Sequence, residues 1–141
     1  MPRPFRLRLL VLAVAAVTTW SCGSSTTTST PTTPTLPTVT TDVFSGTLNV
    51  NGAAVYPFLV LQSGTLTSTL TTVGPDPTST IGMALGTWTG TVCQLVLPNE
   101  NSTTGTVVSG KTTSAATLCV RVYDVGKITD SVSYTVTVVH P

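Results

Sequence analysis

Alternation over residues 131–139, broken only at Val139, limits the folds open to this chain more than any other feature. Val132, Tyr134, Val136 and Val138 occupy one parity, and Ser133, Thr135 and Thr137 the other. A strand sends successive side chains to opposite faces, so this pattern predicts a half-buried β-strand. A helix would scatter the same residues around its circumference. From residue 42 onward the chain is rich in Thr, Val, Ser and Gly. These types favour strands and turns over helices, and no segment of this region carries an apolar stripe of helical period.

The same reading predicts strands over 43–50, 54–62, 65–73, 81–88, 92–97, 105–109 and 117–125. Asn51-Gly52 and Ser63-Gly64 are turn dipeptides between the first three. Gly74-Pro75-Asp76-Pro77 must be a loop, because two prolines and a glycine do not sustain a ladder. Tyr56, Phe58 and Val60 share one face, and Leu66 and Leu70 face the core from the next strand. Leu118, Val120 and Val122 share another face, with Cys119, Arg121 and Tyr123 opposite. The expectation is an all-β domain over 42–141, an antiparallel β-sandwich of seven to eight strands. About a hundred residues suffice for one core.

The N-terminus has a different character. Arg3, Arg6 and Arg8 precede an apolar run over 9–17, the pattern of a secretory signal. The run is much shorter than the roughly 20 residues that a spanning helix needs. It leads to Thr19-Trp20-Ser21-Cys22-Gly23, which resembles the lipobox of bacterial lipoproteins. Ser21 and Cys22 fit that pattern, and Thr19 and Trp20 stand where leucine and a small residue are usual. The resemblance implies a signal peptide over 1–21 and diacylglycerol on Cys22, tethering an exported protein to the cell envelope. Gly23 in place of an aspartate points to the outer membrane in a cell that has one.

Cysteine parity agrees with this reading. The chain has three cysteines, Cys22, Cys93 and Cys119. A leftover thiol is a liability in an oxidising compartment. Lipid on Cys22 leaves Cys93 and Cys119 to form a disulfide, provided their Cα atoms approach within about 7 Å. Residues 24–41 are almost entirely Ser, Thr and Pro, too poor in apolar surface to fold. They are expected to form a disordered linker reaching up to about 60 Å, at roughly 3.1 Å per residue.

The full chain carries a formal net charge of +1, but its three N-terminal arginines belong to the signal. Beyond them, Lys111, Arg121 and Lys127 face Asp42, Asp76, Glu100, Asp124 and Asp130. No basic patch is present to neutralise phosphates, so nucleic acid is not an expected partner. The segment 105–112 matches the phosphate-binding-loop pattern in full, Gly105 and Gly110-Lys111-Thr112 included. That chemistry needs a strand before the loop and a helix after it. Here the approach over 99–104 reads as a loop and the exit over 113–117 runs into a strand, so no nucleotide is expected.

No other motif carries strong chemistry. His140 is the sole histidine, and a Ser-His-Asp set would have to recruit it with Asp124 or Asp130. There is no G-x-S-x-G elbow, and the expectation is a non-catalytic protein without cofactor or metal. A calcium site from Asp124 and Asp130 around Gly126 is explained better as a solvated turn. Trp88, flanked by Gly86 and Gly90, has two readings: packing, or a stacking surface for a sugar or peptide. Tyr123 is the other candidate ligand contact.

The strand series also resembles the bacterial pre-peptidase C-terminal domain. The residues that carry the likeness are Val55-Tyr56-Pro57-Phe58-Leu59-Val60, Gly64, Leu66 to Leu70, Ala116-Thr117-Leu118-Cys119-Val120-Arg121-Val122-Tyr123 and Tyr134-Thr135-Val136-Thr137-Val138. Ala116 replaces the usual glycine, Leu118 an aromatic, and the acidic residue common at the fourth strand is absent from 81–85. The resemblance implies a jelly-roll-like sandwich with an accessory role, binding a protein or glycan rather than performing catalysis.

Overall fold

The structure is a computed structural model and describes residues 38–141. The expected signal segment, Cys22 and the expected linker up to residue 37 lie outside the described residues. Eight strands follow: β1 (Thr40–Leu48), β2 (Ala53–Val60), β3 (Gly64–Gly74), β4 (Ile81–Trp88), β5 (Cys93–Ser102), β6 (Val107–Thr112), β7 (Ala116–Tyr123) and β8 (Val132–His140). They form two four-stranded sheets of order β1-β8-β3-β6 and β2-β7-β4-β5, with every pairing antiparallel. Apart from the β4–β5 hairpin, each connection carries the chain to the other sheet. This is a jelly-roll β-sandwich.

Alternation explains the core. On β8, Val132, Tyr134, Val136 and Val138 are all buried, as are Leu118, Val120 and Val122 on β7 and Leu66 and Leu70 on β3. Ser68 shares the inward parity of β3, and its hydroxyl donates to Met83 Sδ at 3.4 Å. Phe44 stacks on Tyr56 at 4.9 Å, and the Tyr56 and Tyr134 hydroxyls meet at 2.7 Å, closing the β1–β2 side with aromatic bulk. On the β5–β6 side shorter residues leave an apolar groove of about 240 Å³ beside Leu66, Val96, Leu97 and Leu118. Pro57 and Pro98 both sit on edge strands of the second sheet, where a missing N–H is tolerated.

Several boundaries differ from the sequence expectation. β1 starts at Thr40, pairing Thr40 with His140 and Thr41 with Val139, so the final residues of the Thr-rich stretch belong to the sheet. β5 continues through 99–102, expected as a loop, because a solvated edge strand accepts polar residues; its register slips between Ile81 and Met83. β6 spans Val107–Thr112 rather than 105–109, and β2 ends at Val60 rather than at residue 62. Residues 107–112 of the phosphate-loop match therefore lie in an extended edge strand, with Gly110 opposite Leu66 and Lys111 opposite Thr65, and Gly105 sits in the turn before it. A strand presents no helix N-terminus to a phosphate.

Asp124 is a structural cap. Its carboxylate accepts the backbone N–H of Asn51 at 2.8 Å, Gly126 at 2.7 Å and Lys127 at 3.1 Å. These bonds tie the β1–β2 arch to the β7–β8 loop, and the Asn51 N–H contributes most to holding this carboxyl below the usual carboxylate range. Among the described residues no three His, Cys, Asp or Glu gather as a metal set.

Candidate functional site

The second sheet has a central strand that is buried on both faces. In β4, Ile81, Met83 and Leu85 point into the core, yet Gly82, Ala84 and Gly86 are buried too. The reason lies in what β7 sends across them. Tyr123 pairs with Gly82, Arg121 with Ala84 and Cys119 with Gly86. A Cβ on Gly82 would lie 2.5 Å from Cε2 and Cζ of the Tyr123 ring, so the ring rests on the bare glycine. Only a residue without a side chain allows that approach.

Gly86 serves the disulfide. A Cβ there would run into the Gln94 carbonyl and stand 3.2 Å from Cys93 Sγ. The start of β5 thus passes directly over Gly86. Strands two apart in a sheet ordinarily stand about 10 Å apart. Here the crossing brings the Cα atoms of Cys93 and Cys119 to 5.9 Å, and the two sulfurs are joined. Cys119 is completely buried as a result.

Arg121 lies between the ring and the disulfide. Its guanidinium carbon is 5.4 Å from the Tyr123 ring centroid, within range of a cation–π contact. Its Nε is buried and, among the described residues, has no hydrogen-bond partner. Tyr123 is half-buried, and that burial raises its hydroxyl above the ordinary range; the Glu100 carboxylate adds to the rise and Arg121 opposes it. Glu100 therefore acts on the ring from the β5 side. The outer face of this sheet sets an aromatic ring beside a cation, over the small residues of β4.

Trp88 is half-buried at the end of β4, paired with Cys93 beside the disulfide. Strand parity gives it the face of Gly82 and Gly86. It lies six residues along the strand from Gly82, about 20 Å at 3.3 Å per residue. The two candidate contact residues therefore share a sheet face without touching.

His140 is placed elsewhere, and its carboxylate partner differs from the expected one. Its Nε2 meets Asp42 Oδ2 at 3.1 Å and its Nδ1 meets the Pro141 carbonyl oxygen at 3.1 Å. Asp124 is committed to the arch at the other end of β8, and the exposed Asp130 accepts from Thr129 Oγ1 at 3.4 Å. Both His140 ring nitrogens are occupied and the side chain is almost wholly buried. A Ser-His-Asp set needs one ring nitrogen directed at a nucleophile. No family model matches the chain. No curated protein matches it either.

The roles of Arg121, Gly82 and Gly86 escape a sequence reading built on apolar alternation. One signal was present: small residues at every second position, Gly82, Ala84 and Gly86, on a strand whose other parity is Ile81, Met83 and Leu85. Gly82→Val is expected to displace the Tyr123 ring while leaving the core on the opposite face in place. The expected cost is about 1–3 kcal/mol, as for other insertions into filled space. Urea denaturation would measure it, with a change in the near-ultraviolet tyrosine dichroism; an unchanged spectrum would show that the ring does not rest on Gly82.

Proposed function

We propose that the protein is an exported envelope lipoprotein, anchored through Cys22, whose jelly roll serves as a non-catalytic binding module. The observation that carries the binding assignment is the Tyr123–Arg121 face of the second sheet, an aromatic and a cation set over Gly82 and Ala84. Binding surfaces favour such residues, which bring large contact area and directional donors. The buried, doubly engaged His140 favours a structural role for the one residue that a hydrolase would need. With Cys93 and Cys119 paired, Cys22 is the cysteine left to carry lipid.

A glycan is the ligand class that this face favours, since Trp88 and Tyr123 share it and both offer ring faces for stacking. A peptide ligand is the second reading, favoured by the exposed Leu95, Val96 and Leu97 along the β5 edge, where an added strand could pair. Neither nucleic acid nor nucleotide fits a domain with so few cations. Full-length protein recovered from bacterial membranes is expected to begin at a diacylglyceryl-modified Cys22, and an unmodified thiol by mass spectrometry would refute the anchor. The same preparation in detergent is expected to retain glycans on an array through a contact that Tyr123→Ala removes. Retention unaffected by that substitution would move the binding site off this face.

A further inference from the structure

The sandwich is open on its β5–β6 side. The groove there is lined by Leu66, Leu85, Val96, Leu97, Ala116 and Leu118, of which Leu66, Leu85 and Leu118 belong to the core. Gly110 has the inward parity of Val108 but adds no side chain to the groove. A Cβ on it would stand 2.9 Å from Leu97 Cδ1.

Four strands end the two sheets, and three of them are encumbered. On β1 the Tyr56 hydroxyl donates to the Ser45 carbonyl at 3.4 Å. Pro57 interrupts β2 and Pro98 interrupts β5, each withholding an N–H from the ladder. On β5 the Asn99 Oδ1 also accepts the Asn101 N–H at 2.9 Å. The β6 edge has no such obstacle. Among the described residues, the backbone of Val107–Thr112 is hydrogen-bonded to β3 alone. Its outward N–H and C=O groups form a free ladder beside the groove, and an open edge is a template for another strand.

We propose that this edge and groove bind an extended peptide of another protein in which aliphatic residues flank an acidic one. This rests on the peptide reading above, with the added strand on β6 and with Val96 and Leu97 of β5 as the far wall of its groove. Alternate side chains of a strand point to opposite faces. In an added antiparallel strand, those opposite Gly110 and Thr112 turn inward, where the apolar lining selects aliphatic groups. The residue between them lies on the outer face opposite Lys111, which is exposed and is the one charged residue lining the groove. A lysine on an edge deters indiscriminate pairing, whereas a carboxylate directly opposite it makes a favourable cross-strand pair. A second copy paired through its own β6 would bring no acid, since Val107–Thr112 contains none. In such strand addition the main chain supplies affinity and alternate side chains supply specificity.

Calorimetric titration of the full-length protein in detergent, with hydrogen exchange on the same complexes, tests the inference. The probes are blocked peptides that alternate Val, Leu or Ile with Thr and carry one central Glu; the controls carry Lys in its place. The Glu peptides are expected to bind about fivefold more tightly than the Lys peptides, the scale of a cross-strand charge pair. They are also expected to slow amide exchange across Val107–Thr112. Lys111→Glu, a change at an exposed position, is expected to reverse the preference. Gly110→Val is expected to abolish binding by filling the groove, in protein whose melting curve matches the wild type. Binding that protects β5 instead, or that shows no charge preference, overturns the β6 site and leaves the peptide reading standing. Absence of binding by every peptide overturns both, and the glycan reading is untouched by either result. A dimer in sedimentation equilibrium that excludes the peptides gives the edge to a second copy and overturns the proposal.

Discussion

Replacing Cys93 and Cys119 together by alanine is expected to lower the stability of the domain by about 3.5 kcal/mol in the chain-entropy treatment of cross-links. The two cysteines are 26 residues apart in sequence, and the bond removes the conformations in which the unfolded chain holds them apart. Small domains are stable by only about 5–15 kcal/mol, so this is a large fraction of the total. A domain of this size loses about 4–8 °C of melting temperature per kcal/mol, which puts the expected drop at roughly 15–25 °C. Urea denaturation of wild type and variant, each with and without reductant, would measure it. Equal midpoints for the oxidised wild type and the double variant would remove the disulfide from the account of stability.

The bond also organises the outer face, because it covers Gly86 and ends one side of the Arg121 site. Gly86→Val is expected to reproduce much of the loss even with both cysteines present. Its side chain would occupy the path of the Gln94 backbone and Cys93 Sγ. Free-thiol labelling of that variant under oxidising conditions distinguishes a bond that has failed to form from simple crowding.

Tyr134→Ala is expected to cost about 3–5 kcal/mol, the usual penalty for emptying an aromatic site in a core. Tyr134 is 2% exposed and is the largest of the fully buried side chains. It packs edge-on against Tyr56 with ring centroids 6.4 Å apart. Tyr134→Phe keeps the packing and removes only the hydroxyl contact with Tyr56, for an expected loss of about 0.5–1.5 kcal/mol. Chemical denaturation of the three proteins gives both numbers; a Phe variant as unstable as the Ala variant would assign the site to its hydrogen bond rather than its volume.

The same residue predicts a pH dependence. Burial first, and then the Tyr56 hydroxyl, push the Tyr134 hydroxyl well above the ordinary tyrosine range. The folded state therefore keeps a proton that the unfolded chain releases from about pH 10. Stability from this group is fully present below that pH and is lost as the pH rises further. The decline above pH 10 is expected to be shallower in Tyr134→Phe. It should not vanish, since Tyr123 is also raised and contributes with the same sign.

Much of the sandwich was legible because strand geometry is local. Once residues 131–139 alternate, the inward parity follows from two-residue periodicity alone. Val132, Tyr134, Val136 and Val138 are buried as that requires. The same rule separated Leu118, Val120 and Val122 from Cys119, Arg121 and Tyr123. It was weakest at edge strands, where one side of the ladder is solvent and polar residues are tolerated. That is why 99–102 read as a loop although it continues β5.

The candidate site was legible only in part. Trp88 and Tyr123 stand out by residue type, and alternation assigns each a face. No local rule could pair His140 with Asp42, which lie 98 residues apart, or show that each hairpin-length connection but one crosses between sheets. The passage of β5 over Gly86 is likewise a long-range event, as is the seating of Tyr123 on Gly82. Sequence alone determined the strand content and the inward parity of the core, because each depends on neighbours a few positions away. Tertiary structure decided the jelly-roll order, the crossing that joins the cysteines and the composition of the outer face, because each depends on which distant strands lie side by side.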